Sequence, residues 1–176
     1  MPRAASPRPS KPSVGVSVIV EHGAWRDALA DPQPLLRRAA AAAIAEARRA
    51  RRSRSTRKPV VAVALIDDRA MRKLNKMYRG KDKPTNVLSF PAGEAAESRR
   101  ATHPLGDVAI ALGTVKREAK AQGKTVNDHL MHLMVHAVLH LLGYDHESDP
   151  DAEEMEALER KALATLGIAD PYRVAP

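Results

Sequence analysis

The segment His136-Ala137-Val138-Leu139-His140-Leu141-Leu142-Gly143-Tyr144-Asp145-His146 contains a helical pattern, a stop signal and a histidine beyond the stop. Residues four apart on an α-helix lie one above the other, so His136 and His140 present two imidazoles on one face. Gly143 stands where the helix should end, because glycine readily takes the left-handed conformation that closes a helix. The chain can then turn back and bring His146 toward the same point. Three neutral imidazoles with one open position is the catalytic arrangement of zinc, with about 2.0–2.1 Å to each nitrogen. The expectation is one Zn2+ per chain, held by His136, His140 and His146.

The same helical pattern, about 126–142, also contains His129 and His132. His132 and His140 are eight residues apart, or about 12 Å along the axis at 1.5 Å per residue, too far to share one ion on a straight helix. His132 with His136 has equal helical spacing. That pair lacks the glycine turn and the following histidine, so it is the weaker candidate.

Working outward from this helix, the flanking chain alternates strands and helices. Val14–Val20 alternates like a half-buried strand, and Val60–Ile66 reads as a buried one. Val87–Phe90 is a short strand ended by Pro91, and 106–111 is another. Helical patterns occupy Pro34 to about Arg54, the stretch after Asp67 or Asp68 through Tyr78, and about 114–121, 126–142 and 151–166. The polar stretch up to Pro104 reads as an exposed loop. The order β-α-β-α-β-β-α-α-α describes an α/β (α+β) fold, a small mixed four-stranded sheet covered by about five helices. Residues 14–173 form a single domain, and residues 1–13 read as a disordered, basic, proline-rich tail.

Composition narrows the chemistry. The 176 residues include no cysteine, which removes disulfides, thiolate nucleophiles and cysteine-ligated zinc together. No disulfide-linked partner is therefore expected. No stretch approaches the roughly 18 apolar residues of a membrane span, and the N-terminus lacks the apolar core of a secretory signal. The expected location is cytoplasmic. A net charge of +8 points to a polyanionic partner such as nucleic acid, although a basic tail and helix can also serve solubility alone. Only five aromatic residues are present, Trp25, Tyr78, Phe90, Tyr144 and Tyr172, which argues against a broad base-stacking platform.

The histidine spacing resembles that of the metzincin proteases, His-Glu-x-x-His-x-x-Gly-x-x-His, at every position but one. Ala137 replaces their general-base glutamate, and a methyl group cannot take a proton from a metal-bound water. The spacing supports a metal, and the substitution argues against a protease.

A closer resemblance covers roughly residues 14–173. The histidine segment, preceded by Tyr78-Arg79-Gly80-Lys81-Asp82-Lys83-Pro84-Thr85-Asn86-Val87-Leu88-Ser89-Phe90-Pro91 and by Leu105-Gly106-Asp107, looks like the YbeY family. The Glu153-Glu154-Met155-Glu156 helix and the Asp170-Pro171-Tyr172 ending agree with it. The basic tail and the arginine-rich end of the first helix are less typical. The resemblance implies a bacterial single-strand-specific endoribonuclease acting at the 3′ end of small-subunit ribosomal RNA and in ribosome quality control. The implied partners are ribosomal RNA and the small ribosomal subunit with its assembly factors. It also implies zinc at the three histidines and a functional arginine matching Arg79.

Elementary chemistry agrees with that implication. RNA cleavage places added negative charge on the phosphorus, and a cation and a guanidinium are the natural stabilisers. Arg79 is thus a catalytic and RNA-binding candidate, with Lys81 and Lys83 as further RNA-binding candidates on the same loop. From the residues alone, a solvated basic loop is the ordinary reading of that stretch. Asp145 is a catalytic candidate that can orient a ligand histidine or cap the turn after the helix. Asp107 is either structural or near the site, and Tyr144 suits packing better than chemistry. An RNA-binding assembly factor with structural zinc, and another zinc-dependent hydrolase, are the competing functions.

Overall fold

The computed structural model describes residues 14–53, 55–93 and 102–173. The elements, in chain order, are β1 (Gly15–Val20), α1 (Ala24–Ala28), α2 (Pro32–Ala50), β2 (Lys58–Ile66), α3 (Asp68–Arg79), β3 (Val87–Pro91), β4 (Thr102–Ala111), α4 (Leu112–Ala121), α5 (Val126–Leu141) and α6 (Asp149–Thr165). The strand order is β1-β2-β4-β3. β1 and β4 both run parallel to β2, while β3 closes the other edge antiparallel to β4. This is the mixed four-stranded α/β sheet in a single domain that the element order implied.

The alternation within β2 sets the layers. Successive side chains of a strand point to opposite faces. Val61, Val63 and Leu65 enter the main core with Val108 and Ile110 of β4, beneath α2 and α5. Ala64 and Ile66 face the other way, where Met71 and Leu74 of α3 meet Leu88, Ala109 and Ala111. One face therefore carries a thick helical layer, and the other carries α3 above a floor of small residues. α5 is buried along most of its length, from Leu130 to Leu141, so its few polar positions are placed rigidly.

Several elements differ from expectation, α2 for instance ending at Ala50 rather than near Arg54, and three of the differences have a clear cause. α1 adds a sixth helix of only five residues with no side-chain cap, too short for a periodic signal; it buries Trp25, whose indole N–H donates to the Ile66 carbonyl at 2.9 Å. β4 begins at Thr102, inside the stretch expected to be loop, because Lys58, Pro59 and Val60 pair with Thr102, His103 and Pro104. The register then slips, with Val60 opposite Pro104 but Val61 opposite Gly106, which leaves Leu105 as an extra residue. Gly106 sits there at φ 138°, and a Cβ on it would lie 2.1 Å from the Phe90 carbonyl oxygen. Only glycine fits that approach. Finally, α2 starts at Pro32, capped by the Asp31 carboxylate on the Gln33 N–H, two residues before the expected Pro34. The expected tail, residues 1–13, lies outside the described residues. Among the described residues, no helix is long and apolar enough to cross a membrane.

Candidate metal centre

The stop at the end of α5 builds the site. Gly143 adopts φ 86°, its N–H donates to the His140 carbonyl at 2.9 Å, and the Tyr144 N–H donates to the Leu139 carbonyl at 3.1 Å. These two bonds form a Schellman turn, which satisfies the last carbonyls and reverses the chain. The reversal returns His146 to the helix end. One ring nitrogen from each of His136, His140 and His146 then lies within 4.8 Å of the others.

The hydrogen bonds determine which nitrogens are free. His140 Nδ1 lies 2.9 Å from the Tyr144 carbonyl oxygen, which can only accept, so Nδ1 carries the proton. His136 Nδ1 lies 2.6 Å from Glu159 Oε1. Burial raises the Glu159 pKa, but bonds from His132, His136 and Tyr172 outweigh it and hold the carboxyl at about 2, ionised and acceptor-only. The His136 proton therefore also sits on Nδ1. Both Nε2 atoms then carry lone pairs, and they face one another at 3.0 Å. Two facing lone pairs repel unless a cation lies between them, and tetrahedral ligands at about 2.0–2.1 Å stand roughly 3.3 Å apart. Burial, aided by the neighbouring His136 and His146, lowers the His140 pKa to about 4, which keeps this imidazole in the neutral, ligating form. The three histidines are thus chemically fit to hold a metal ion.

Glu159 deserves its place by geometry rather than by sequence proximity. It is fully buried on α6, in line with Met155, Leu158, Ala162 and Leu163. Its second oxygen lies 3.2 Å from His132 Nε2 and also accepts from the Tyr172 hydroxyl. His132 is thereby engaged with the carboxylate that orients His136. Sequence reasoning missed Glu159, although a glutamate on an otherwise apolar helix stripe is a usable signal.

Opposite the histidines, the loop between α3 and β3 forms the other wall of a cleft of about 410 Å3, lined by Arg79, Asn86, Ser89 and Asp145 beside the trio. The loop is tied back to α3. Arg72 and Lys76 bind Asp82 at 2.7 and 3.2 Å, and buried Asn75 donates to the Lys83 carbonyl at 2.7 Å. Asn86 donates to Glu118 at 2.9 Å. Arg79, the exposed last residue of α3, lines the cleft where this braced loop begins.

The structure brings Arg79, Asp145 and the three histidines to one cleft. It leaves Lys81 and Lys83 exposed on the loop, outside the cleft lining. Asp145 Oδ1 accepts from the Glu147 N–H at 3.1 Å, the turn-capping alternative. The ligand-orienting bonds are made instead by Glu159 and by the Tyr144 carbonyl. Tyr144 itself packs, 6% exposed, with the Arg51 guanidinium 4.3 Å from its ring centre.

Residues 31–167 match the family model described as endoribonuclease YbeY. An endoribonuclease YbeY of Rhodopseudomonas palustris (strain HaA2) is 50% identical over 88% of this chain and 80% of its own length. That of Parvibaculum lavamentivorans is 47% identical over 97% of this chain and 91% of its own length. The solution structure of TM1509 from Thermotoga maritima superposes with a TM-score of 0.51 at 21% identity, covering 90% of this chain and 99% of that one, and shows the same fold. With the family model spanning most of the chain and relatives near half identity along it, this chain belongs to the endoribonuclease YbeY family.

Proposed function

We propose that the protein is a zinc-dependent endoribonuclease that cuts single-stranded RNA at the His136–His140–His146 centre. Its proposed setting is the cytoplasm, in maturation of the 3′ end of small-subunit ribosomal RNA and in ribosome quality control. The small subunit and its assembly factors are the proposed partners. The observation that carries the reading is the pair of facing Nε2 lone pairs at 3.0 Å, opened to a cleft that also holds Arg79.

A bound zinc ion would lower the pKa of its water toward about 7 and polarise a phosphoryl oxygen. The chain's own residues do the rest. Arg79 binds the non-bridging phosphate oxygens and stabilises the charge that builds on them, a task suited to a planar guanidinium. Glu159 and the Tyr144 carbonyl hold the protons on His136 Nδ1 and His140 Nδ1, keeping both Nε2 atoms directed at the ion. Ala137 is fully buried and has no proton-accepting group. Asp145, exposed at the cleft, is the proposed proton acceptor. Lys81 and Lys83, outside the cleft, are proposed to meet phosphates farther along the strand.

Elemental analysis paired with a cleavage assay on single- and double-stranded RNA tests this reading. The expected result is one zinc per chain and cleavage confined to single strands. Arg79→Ala should lose roughly 10²–10³ in rate with metal content unchanged, the usual scale for one transition-state donor. His136→Ala should lose both metal and cleavage. Full activity in a metal-free, folded sample would overturn it.

A further inference from the structure

The arginines at the end of α2 build a pocket of their own. It has a volume of about 170 Å3, opens where α2 ends and β2 and β4 begin, and is lined by Arg48, Arg51, Ser53, Ser55, Arg57 and His103. The turn that closes α2 gathers these groups, and it is of the same kind as the turn at Gly143. Arg52 stands at φ 49°, where glycine is usual, and the Ser53 N–H donates to the Arg48 carbonyl at 2.9 Å. The Arg48 guanidinium in turn donates to the Arg57 carbonyl at 2.9 Å. The loop thus folds back onto the last turn of α2 and returns Arg57 to Arg48.

Charge sets this pocket apart. Arg49 pairs with Glu46, Arg72 with Asp82, Arg117 with Asp68 and Arg160 with Glu156. Arg48, Arg51 and Arg57 have no acidic partner among the described residues, and no carboxylate among those residues lines the pocket they share. Cations at the end of a helix can simply answer its dipole. That accounts for Arg48 and Arg51 but not for Arg57, which lies outside the helix on the returning loop. The other polar groups are donors as well. Guanidinium N–H groups only donate, and serine hydroxyls can do so. Ser53 Oγ accepts from the Ser55 N–H at 3.4 Å, which leaves its own proton free. His103 Nδ1 is buried without a hydrogen-bond partner among the described residues, an uncommon state for a polar atom, on a ring that lines the same pocket.

We propose that this pocket binds a phosphate group, at a site separate from the metal centre. A guanidinium pairs with two oxygens of one phosphate, and the serine hydroxyls add single donors. The pocket lies around the end of α5 from the histidine cleft. Leu142 lines it, and the Arg51 guanidinium stands 4.3 Å from the ring centre of Tyr144, two residues before His146. A hollow lined by Arg51, Asp145, Asp151 and Glu154 intervenes, and Asp145 also lines the cleft. Its carboxylates repel an anion, so the two phosphate positions are distinct rather than one continuous track. The same chemistry suits one phosphodiester of a long RNA strand and a free phosphate ion. A strand that used both positions would have to span the acidic hollow, so only a long one would gain from the arginine pocket.

Two titrations of the full chain separate the sources: inorganic phosphate followed by calorimetry at fixed ionic strength, and short and long single strands of 2′-O-methyl RNA followed by fluorescence anisotropy at several salt concentrations. Arg57→Gln is the cleanest variant, because it removes a guanidinium and keeps the carbonyl that holds Arg48. Arg38→Gln, exposed on the same helix and outside the pocket, is the control of equal charge. If RNA supplies the phosphate, Arg57→Gln weakens binding of the long strand but not the short one. The slope of log affinity against log salt then falls by about 0.7, the value for one phosphate contact on a single strand. If a free phosphate is the ligand, Arg57→Gln weakens inorganic phosphate several-fold and leaves both strands unchanged. Arg38→Gln should alter none of these. Equal losses in Arg57→Gln and Arg38→Gln would reduce the effect to net charge and overturn the site. Unchanged affinity for every ligand in both Arg57→Gln and Arg48→Gln, each folded by circular dichroism, would overturn it as well.

Discussion

Of the three histidine–glutamate contacts on helix α5, the two made by His129 and His136, two turns apart, serve different ends. His129 Nε2 lies 2.8 Å from Glu118 Oε2, and the ring is 3% exposed. Its Nδ1 is buried with no partner among the described residues. His136 bonds Glu159 through Nδ1 instead, which turns Nε2 outward to His140 and the cleft. The carboxylates are alike; what differs is the nitrogen each one holds and what the other nitrogen then meets. Burial lowers the His129 pKa against the pull of Glu118, so its pairing fastens α4 to α5. The His136 pairing leaves a nitrogen free to hold a metal ion with its neighbours. A histidine beside a glutamate is thus insufficient to mark a metal centre: the free nitrogen must face a second donor.

Three measurements can break or sharpen that contrast. The largest effect concerns pH. Glu159, held at about 2 in the folded protein against an ordinary 4.5, contributes stability that is fully present above pH 4.5 and lost as pH falls through 2. That difference corresponds to something on the order of 3 kcal/mol. Denaturant melts of the metal-free protein and of Glu159→Gln should therefore diverge increasingly as pH rises from 2 to 4.5, then run parallel. A constant gap across that window would mean Glu159 is not the titrating partner.

Metal affinity comes next. Glu159→Gln should weaken zinc binding about 10–100-fold, the usual cost of removing a carboxylate behind a ligand histidine. Glu118→Gln should leave it unchanged within experimental error. Competition with a chromophoric chelator measures both, and equal losses would erase the distinction between the pairs. The smallest effect is the stability cost of Glu118→Gln, about 1 kcal/mol by chemical denaturation for one weakened buried hydrogen bond. No measurable cost would show that Glu118 does not hold α4 to α5.

How much of this was legible beforehand follows from the range of each interaction. The histidine geometry is local: helical spacing and one glycine at the stop place all three rings, and Gly143 makes the turn that its position implied. The strands of the sheet were likewise readable from apolar runs. Their order was not, because pairing β4 between β2 and β3 depends on contacts far apart in the chain. The start of β4 was lost for the same reason, since Thr102 to Pro104 look like loop until β2 lies beside them. Glu159 lies 23 residues beyond His136, and only the docking of α6 on α5 joins them. The ligand-orienting role considered for Asp145, close in sequence, is filled by Glu159.

The bond between Glu159 and His136 also sets an order of events. A chain is made from its N-terminus, so all three histidines of the cluster emerge before Glu159 and Tyr172 exist to act on them. Until α6 folds back, nothing fixes the proton on His136 Nδ1, and the ring can present either nitrogen to a metal. The centre therefore reaches its working form last, after the rest of the domain has been translated. With cleavage assigned to this centre as proposed, a ribonuclease born on a machine built of RNA would stay unarmed through most of its own synthesis.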